Sequence, residues 1–246
     1  MAPGALACSD RASDRRSPSD KLAFAQVSQY RVVSQDRVAQ VGETPTRGFR
    51  RRTSLHEGTS SVIRELDVGQ SALLADIAMC INYYRLFSPG LYCCIHAAVQ
   101  LADGTRFCPG ITVMVNHGRL KQCEPGPDYE VFTGPPNFVL DVFPGDDPLD
   151  YDDRRACFER HGVIEYVALR HKDPVEWTWN RLVDGKFSIV ETADNELIMS
   201  TALPGLWMPA YALKHRDWWA VMGAIARGVS RVGHHDFMET IWKPAS

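Results

Sequence analysis

Asp141 stands inside an apolar run, Phe138-Val139-Leu140-Asp141-Val142-Phe143. Removing a carboxylate from water is costly unless something pairs with it, so a charged residue in such a strand points to function. Divalent-metal binding is the first chemistry to consider. It needs at least two converging acidic or carbonyl ligands, and hydrolysis commonly adds a basic group near the attacking water. Asp146, Asp147, Asp150, Asp152, Asp153 and Arg154 all follow within a short segment. Acidic residues at the start of a helix are favoured by capping and by the helix dipole in any case, which is the plainer reading of the aspartate cluster.

The other chemically capable residues give less. His161 falls at a helix end, and His234-His235 reads as a surface turn after the last helix. Neither spacing makes a zinc site by itself. Seven cysteines, at 8, 80, 93, 94, 108, 123 and 157, include no Cys-x-x-Cys pair. An odd number without that spacing suggests neither a zinc ribbon nor a disulfide framework, and fits a reducing cytoplasm. Cys93-Cys94, if in a strand, must point to opposite faces.

The elements that would position Asp141 can be read from periodicity. Leu73, Leu74, Ile77, Ala78, Ile81 and Tyr84 recur at helical spacing between Val68 and Phe87, and Ser88-Pro89-Gly90 supplies the stop. Strands are expected at Leu91 to Gln100, Ile111 to Val115, Phe138 to Phe143 and Ile164 to Leu169. A helix from about Asp150 to Arg160 joins the last two. Strand, helix, strand at this spacing implies a parallel crossover, so the core is α/β. Glu176 to Leu182 and Phe187 to Val190 read as a hairpin around Asp184-Gly185, with Trp177 and Trp179 packing on one face. A further amphipathic helix over residues 216 to 231 carries Trp218, Trp219, Met222 and Ile225, and is expected to cover the core or make a homodimer contact.

The chain of 246 residues is long enough for one sizeable domain with extensions. Residues 1–56 hold 10 Lys and Arg against 5 Asp and Glu, leaving 17 against 25 for the rest, so a basic segment precedes an acidic body. The expected organisation is a mostly disordered basic tail over 1–56, with a short ordered piece near Leu22 to Val33. A domain over 57–215 and a C-terminal helix and tail over 216–246 complete it. An acidic body is not a general nucleic-acid binder, because phosphate contacts supply most nonspecific affinity. The run Arg50-Arg51-Arg52 reads as part of a solvated arm. No apolar run approaches the roughly 20 residues that span a bilayer, so the expectation is a cytoplasmic protein without membrane contact.

The order of motifs resembles the putative restriction endonuclease domain proteins of the Uma-two type, a branch of the PD-(D/E)XK nuclease superfamily. The resemblance runs over about residues 66–213: the helix before Gly90, Asp103-Gly104, Pro109, Gly134-Pro135-Pro136, Asp141, Gly162-Val163-Ile164-Glu165-Tyr166, Asp184-Gly185 and Leu203-Pro204-Gly205-Leu206. It implies a restriction-endonuclease-like fold, a mixed central sheet flanked by helices. It further implies a magnesium- or manganese-dependent endonuclease that hydrolyses phosphodiester bonds in DNA. Asp141 matches the strand acid as metal ligand and catalytic residue, and Asp150 matches the helix aspartate as a second metal residue. Arg154 matches a helix lysine and would clamp phosphate, but a guanidinium stays protonated and cannot accept a proton. Phe158 matches the helix aromatic. Two positions depart from the pattern: Gly110 replaces the acid that normally follows the proline, and Phe143 stands where the superfamily has a lysine. On these residues the second reading is a catalytically inactive nuclease-fold module for binding or self-association. Glu65 and Asp76, at or near the first helix, are the remaining acids that could be recruited.

Overall fold

A computed structural model of the chain describes residues 52–56, 59–63, 66–143 and 149–242; for 52–56, 59–63 and 149–150 it describes the backbone alone. The expected ordered piece near Leu22 to Val33 lies outside the described residues, as does most of the expected tail. Arg52–His56 (β1) and Thr59–Ile63 (β2) pair antiparallel. Helix Val68–Leu86 (α1) starts at a reciprocal cap. The Gln70 N–H donates to Asp67 Oδ1 at 2.8 Å, and the Asp67 N–H donates to Gln70 Oε1 at 3.2 Å. Its expected apolar stripe is buried, from Leu73 to Tyr84.

The central sheet has six strands. They are Leu91–Ile95 (β3), Ile111–Val115 (β6), Phe138–Phe143 (β9), Glu165–Arg170 (β10), Glu176–Val183 (β11) and Lys186–Ile189 (β12). The order across the sheet is β12-β11-β10-β9-β6-β3. Only β9 and β10 are parallel, joined by helix Leu149–His161 (α2), as the sequence period requires. The β11–β12 turn places Asp184 and Gly185 both at positive φ, 51° and 77°, the geometry that suits this hairpin and that glycine accepts readily. The expected strand Leu91 to Gln100 is two strands: His96 takes φ 51° and breaks it, leaving Val99–Gln100 (β4) to join a separate small sheet. That sheet, ordered β5-β4-β8-β7, is built with Arg106–Phe107 (β5), Glu124–Pro125 (β7) and Phe132–Thr133 (β8).

The rest of the described chain packs against one face. Leu197–Met199 (β13) and Trp207–Pro209 (β14) form a two-stranded ribbon, followed by helices Ala210–His215 (α3), Trp218–Val229 (α4) and Val232–Trp242 (α5). The expected helix over 216–231 is α4; α5 was not anticipated. The alternation of β9 divides two apolar cores. Phe138, Leu140 and Val142 join the core with α1, α3, α4 and α5, whereas Val139 and Phe143 join Tyr151, Phe158 and Tyr166 beneath α2. Trp177 and Trp179 pack in the first core, and Trp179 meets Phe138 edge-on at 5.7 Å. The architecture is thus a mixed α/β one, a mixed sheet flanked by helices. No described helix is long and apolar enough to cross a membrane.

Candidate functional site

Period-two alternation puts Asp141 on the same face of β9 as Val139 and Phe143, so its side chain enters the layer under α2. It is 6% exposed. Three donors meet it. The Gly110 N–H donates to Oδ1 at 2.9 Å, and Oδ2 accepts from Arg154 Nη1 and from the Tyr166 hydroxyl, each at 3.3 Å. Arg154 reaches down from α2, with its side chain 7% exposed, and its guanidinium also lies 5.5 Å from the Phe107 ring centre. The sequence expectation that Asp141 and Arg154 share one site therefore has a geometry, that of a buried ion pair.

A small cleft adjoins the pair. Its interior is about 20 Å³, lined by Leu66, His96, Cys108, Gly110, Asp141 and Arg154 among others. That is room for about one water. Cys108 donates its S–H to the His96 carbonyl at 2.9 Å, and burial pushes the Cys108 thiol up from its ordinary pKa, so the thiolate is disfavoured there.

The surroundings of Asp141 do not fit a divalent cation among the described residues. Three hydrogen-bond donors, one of them cationic, take most of the carboxylate's roughly four acceptor sites, and the guanidinium repels a second cation. Gly110 offers no side-chain ligand, and the position a side chain would start from is crowded. A Cβ there would lie 3.0 Å from the Leu140 carbonyl oxygen and 3.1 Å from Leu74 Cδ1. Among the described residues, no three His, Cys, Asp or Glu side chains are grouped to hold an ion. The backbone of Asp150 lies in the first turn of α2, but its side chain, Asp146, Asp147 and Glu65 lie outside what the structure describes. Asp152 and Asp153 are exposed on α2. Asp76 accepts a hydrogen bond from Trp218 Nε1 at 3.0 Å and so ties α1 to α4 rather than joining Asp141. Phe143 is buried under α2 and meets Tyr151 edge-on at 6.2 Å.

Two further polar centres lie near this layer. Glu165 is completely buried and accepts from Arg181 Nε at 3.0 Å, Ser200 Oγ at 2.5 Å, and both the N–H and the hydroxyl of Thr201 at 2.9 Å. It fastens β10 to β11 and to the loop after β13. Asn180, also fully buried, accepts from the Tyr151 hydroxyl at 3.2 Å and from Arg155 Nε at 3.0 Å, and donates to the Tyr166 carbonyl at 3.0 Å. Glu165 interrupts the apolar run Val163 to Leu169, the signal that singled out Asp141, so the same rule would have marked it; Asn180, an uncharged residue in a strand of mixed polarity, gives no such signal.

The expected surface turn at His234-His235 is instead the first turn of α5. His234 is buried, with Nε2 2.9 Å from the hydroxyl of Ser88. Desolvation first, and the neighbouring His235 second, hold the His234 pKa below its usual value. Ser88 has no exposed surface, so this serine–histidine pair is sealed from any substrate and serves packing. His161 ends α2 as expected, its Nδ1 2.9 Å from the Cys157 carbonyl and its Nε2 3.2 Å from Asp103 Oδ2.

Among solved structures, the chain is similar to one titled the crystal structure of a putative nuclease belonging to DUF820 from Anabaena variabilis ATCC 29413. The two share 11% identity with a TM-score of 0.49, over 68% of this chain and 89% of that chain. No protein-family model matches the chain, and no curated protein matches it in sequence.

Proposed function

We propose that this chain is a nuclease-like protein in which metal-dependent phosphodiester hydrolysis has given way to a structural ion pair, leaving a non-hydrolytic module for binding or self-association. One observation carries the reading: Asp141, the residue the family resemblance would make the metal ligand, is engaged on both oxygens by Gly110, Arg154 and Tyr166. Gly110 and Phe143, standing where an acid and a lysine would serve, support it from the sequence side. A carboxylate satisfied by an N–H, a guanidinium and a phenol is stable in the interior without a cation.

The test is calorimetry with Mg²⁺ and with Mn²⁺ on the full chain and on Asp141→Ala, run beside a plasmid-nicking assay with both metals. The expected result is no metal uptake and no nicking by either protein. Metal binding and nicking by the wild type that both vanish in Asp141→Ala would overturn the reading. Asp141 and Asp150 would then be assigned as the Mg²⁺ or Mn²⁺ ligands and Arg154 as the contact to a DNA phosphate.

A further inference from the structure

The two edges of the central sheet are treated differently. At β12 the outward backbone groups of Phe187 are occupied by side chains of α2: its N–H donates to Glu159 Oε2 at 2.6 Å, and its carbonyl accepts from Arg155 Nη2 at 2.9 Å. Lys186 adds a charge to that strand. Capping and charging an edge in this way prevents further strand pairing.

At β3 none of these devices is present. Its hydrogen-bonded pairs with β6 can be phased from the flanking bonds, Asn116 N–H to the Gly90 carbonyl and His96 N–H to the Gly110 carbonyl. With the register Leu91↔Val115 through Ile95↔Ile111, residues 92 and 94 exchange bonds with β6. Leu91, Cys93 and Ile95 therefore turn their N–H and carbonyl groups outward. Among the described residues nothing bonds to those groups. The strand, Leu-Tyr-Cys-Cys-Ile, has no charge and no proline, and it carries an exposed apolar side chain on each face: Ile95 is 51% exposed and Tyr92 37%.

We infer that β3 pairs antiparallel with β3 of a second copy of this chain, about a two-fold axis at Cys93, joining two six-stranded sheets into one. The occupant follows from self-complementarity. The three outward-facing residues are evenly spaced about Cys93, so a two-fold there sets Leu91 opposite the second Ile95 and Cys93 opposite the second Cys93. This is the one register that pairs all three, closing about six backbone hydrogen bonds. The strand itself carries no charge, so none of its own side chains meets a like charge in this register; the nearest charge, Arg85 in the last turn of α1, lies on the flank beside Cys93 and Cys94. The inference does not depend on whether the Asp141 cleft cleaves a phosphodiester.

Sedimentation of the full chain over a concentration series tests this, with Ile95→Lys and with Trp219→Ser, which alters the exposed aromatic of α4, the competing contact surface (84% exposed). The expected result is a dimer for the wild type and for Trp219→Ser, and a dissociation constant raised at least about tenfold in Ile95→Lys, since both Ile95–Leu91 pairs are lost. Hydrogen exchange on the wild type gives an independent readout: the amides of Cys93 and Ile95 should be protected in the dimer and lose that protection on dilution. A monomeric wild type overturns the inference. So does a dimer that is indifferent to Ile95→Lys, one abolished by Trp219→Ser, or concentration-independent exchange at Cys93 and Ile95.

Discussion

Replacing Asp141 by alanine separates a structural carboxylate from a metal ligand by the sign of its effect on stability. In the structure Asp141 holds the buried Gly110 N–H at 2.9 Å, and leaving that donor unsatisfied costs about 1–3 kcal/mol. The Arg154 and Tyr166 contacts, at 3.3 Å, are longer than usual hydrogen bonds and contribute about 0.5 kcal/mol each. Arg154 makes further interactions, so its charge is not abandoned when Asp141 goes, and the full penalty for orphaning a buried ion does not apply. The sum is a loss of about 3 kcal/mol, which for a domain of this size lowers Tm by roughly 6–12 °C. An acid retained for metal chemistry behaves in the opposite way, because functional carboxylates held near one another are a stability liability that their removal relieves. Thermal melting in EDTA is the assay, repeated with excess Mg²⁺. The expected outcome is a clear drop for Asp141→Ala and no Mg²⁺-dependent rise for the wild type. An Asp141→Ala protein as stable as the wild type or more so, or a wild type stabilised by Mg²⁺ through an Asp141-dependent site, would refute the structural reading.

Gly110→Ala should lose about 1–3 kcal/mol in chemical denaturation, because its Cβ would press on the Leu140 carbonyl and Leu74; Gly110→Asp should be worse and gain no nicking activity. Glu165→Gln, which keeps the shape but turns an amide toward four donors, should lose about 3–4 kcal/mol in urea unfolding, and a change under about 1 kcal/mol would show that the loop after β13 does not depend on it. His234 has a folded-state pKa below the ordinary histidine value of about 6.5, so its contribution is fully present above that pH and is lost as the pH falls through the folded value. His234→Gln should flatten that part of the stability profile between pH 7.5 and 5, measured by denaturant midpoints.

The sequence made the crossover of β9, α2 and β10 legible because each element is long enough to express its period, two for the strands and 3.6 for the helix. Asp141 was legible because a charge interrupts an apolar strand. What it pairs with was only half visible. Arg154 lies 13 residues on, across a crossover whose direction is fixed, so meeting Asp141 is a consequence of the topology. Gly110 contributes a backbone N–H, which has no side-chain signature, and its position beside Asp141 depends on β6 lying next to β9 in the sheet. The small sheet escaped detection for a simpler reason: strands of two residues have no alternation to read. His234 was misplaced because Ser230 and Arg231 look like the end of a helical region, while the chain restarts a helix at Val232 and turns the histidine inward onto Ser88.

Glu165, Asn180 and Asp141 bear on one question, how a sheet tolerates polar groups in its buried strands. Each is satisfied by groups from elements distant in sequence: Glu165 by β11 and the loop after β13, Asn180 by α2, and Asp141 by α2 and the chain just before β6. Fully satisfied buried polar groups of this kind fix the register of the elements they join, since a slip of one residue would strand each of them on the wrong face. Asp141 therefore has a structural reason to remain an acid even without a metal. Its two oxygens hold the chain before β6 and helix α2 to β9 at once, which asparagine, with one acceptor oxygen and a donor amide facing Arg154, would not do.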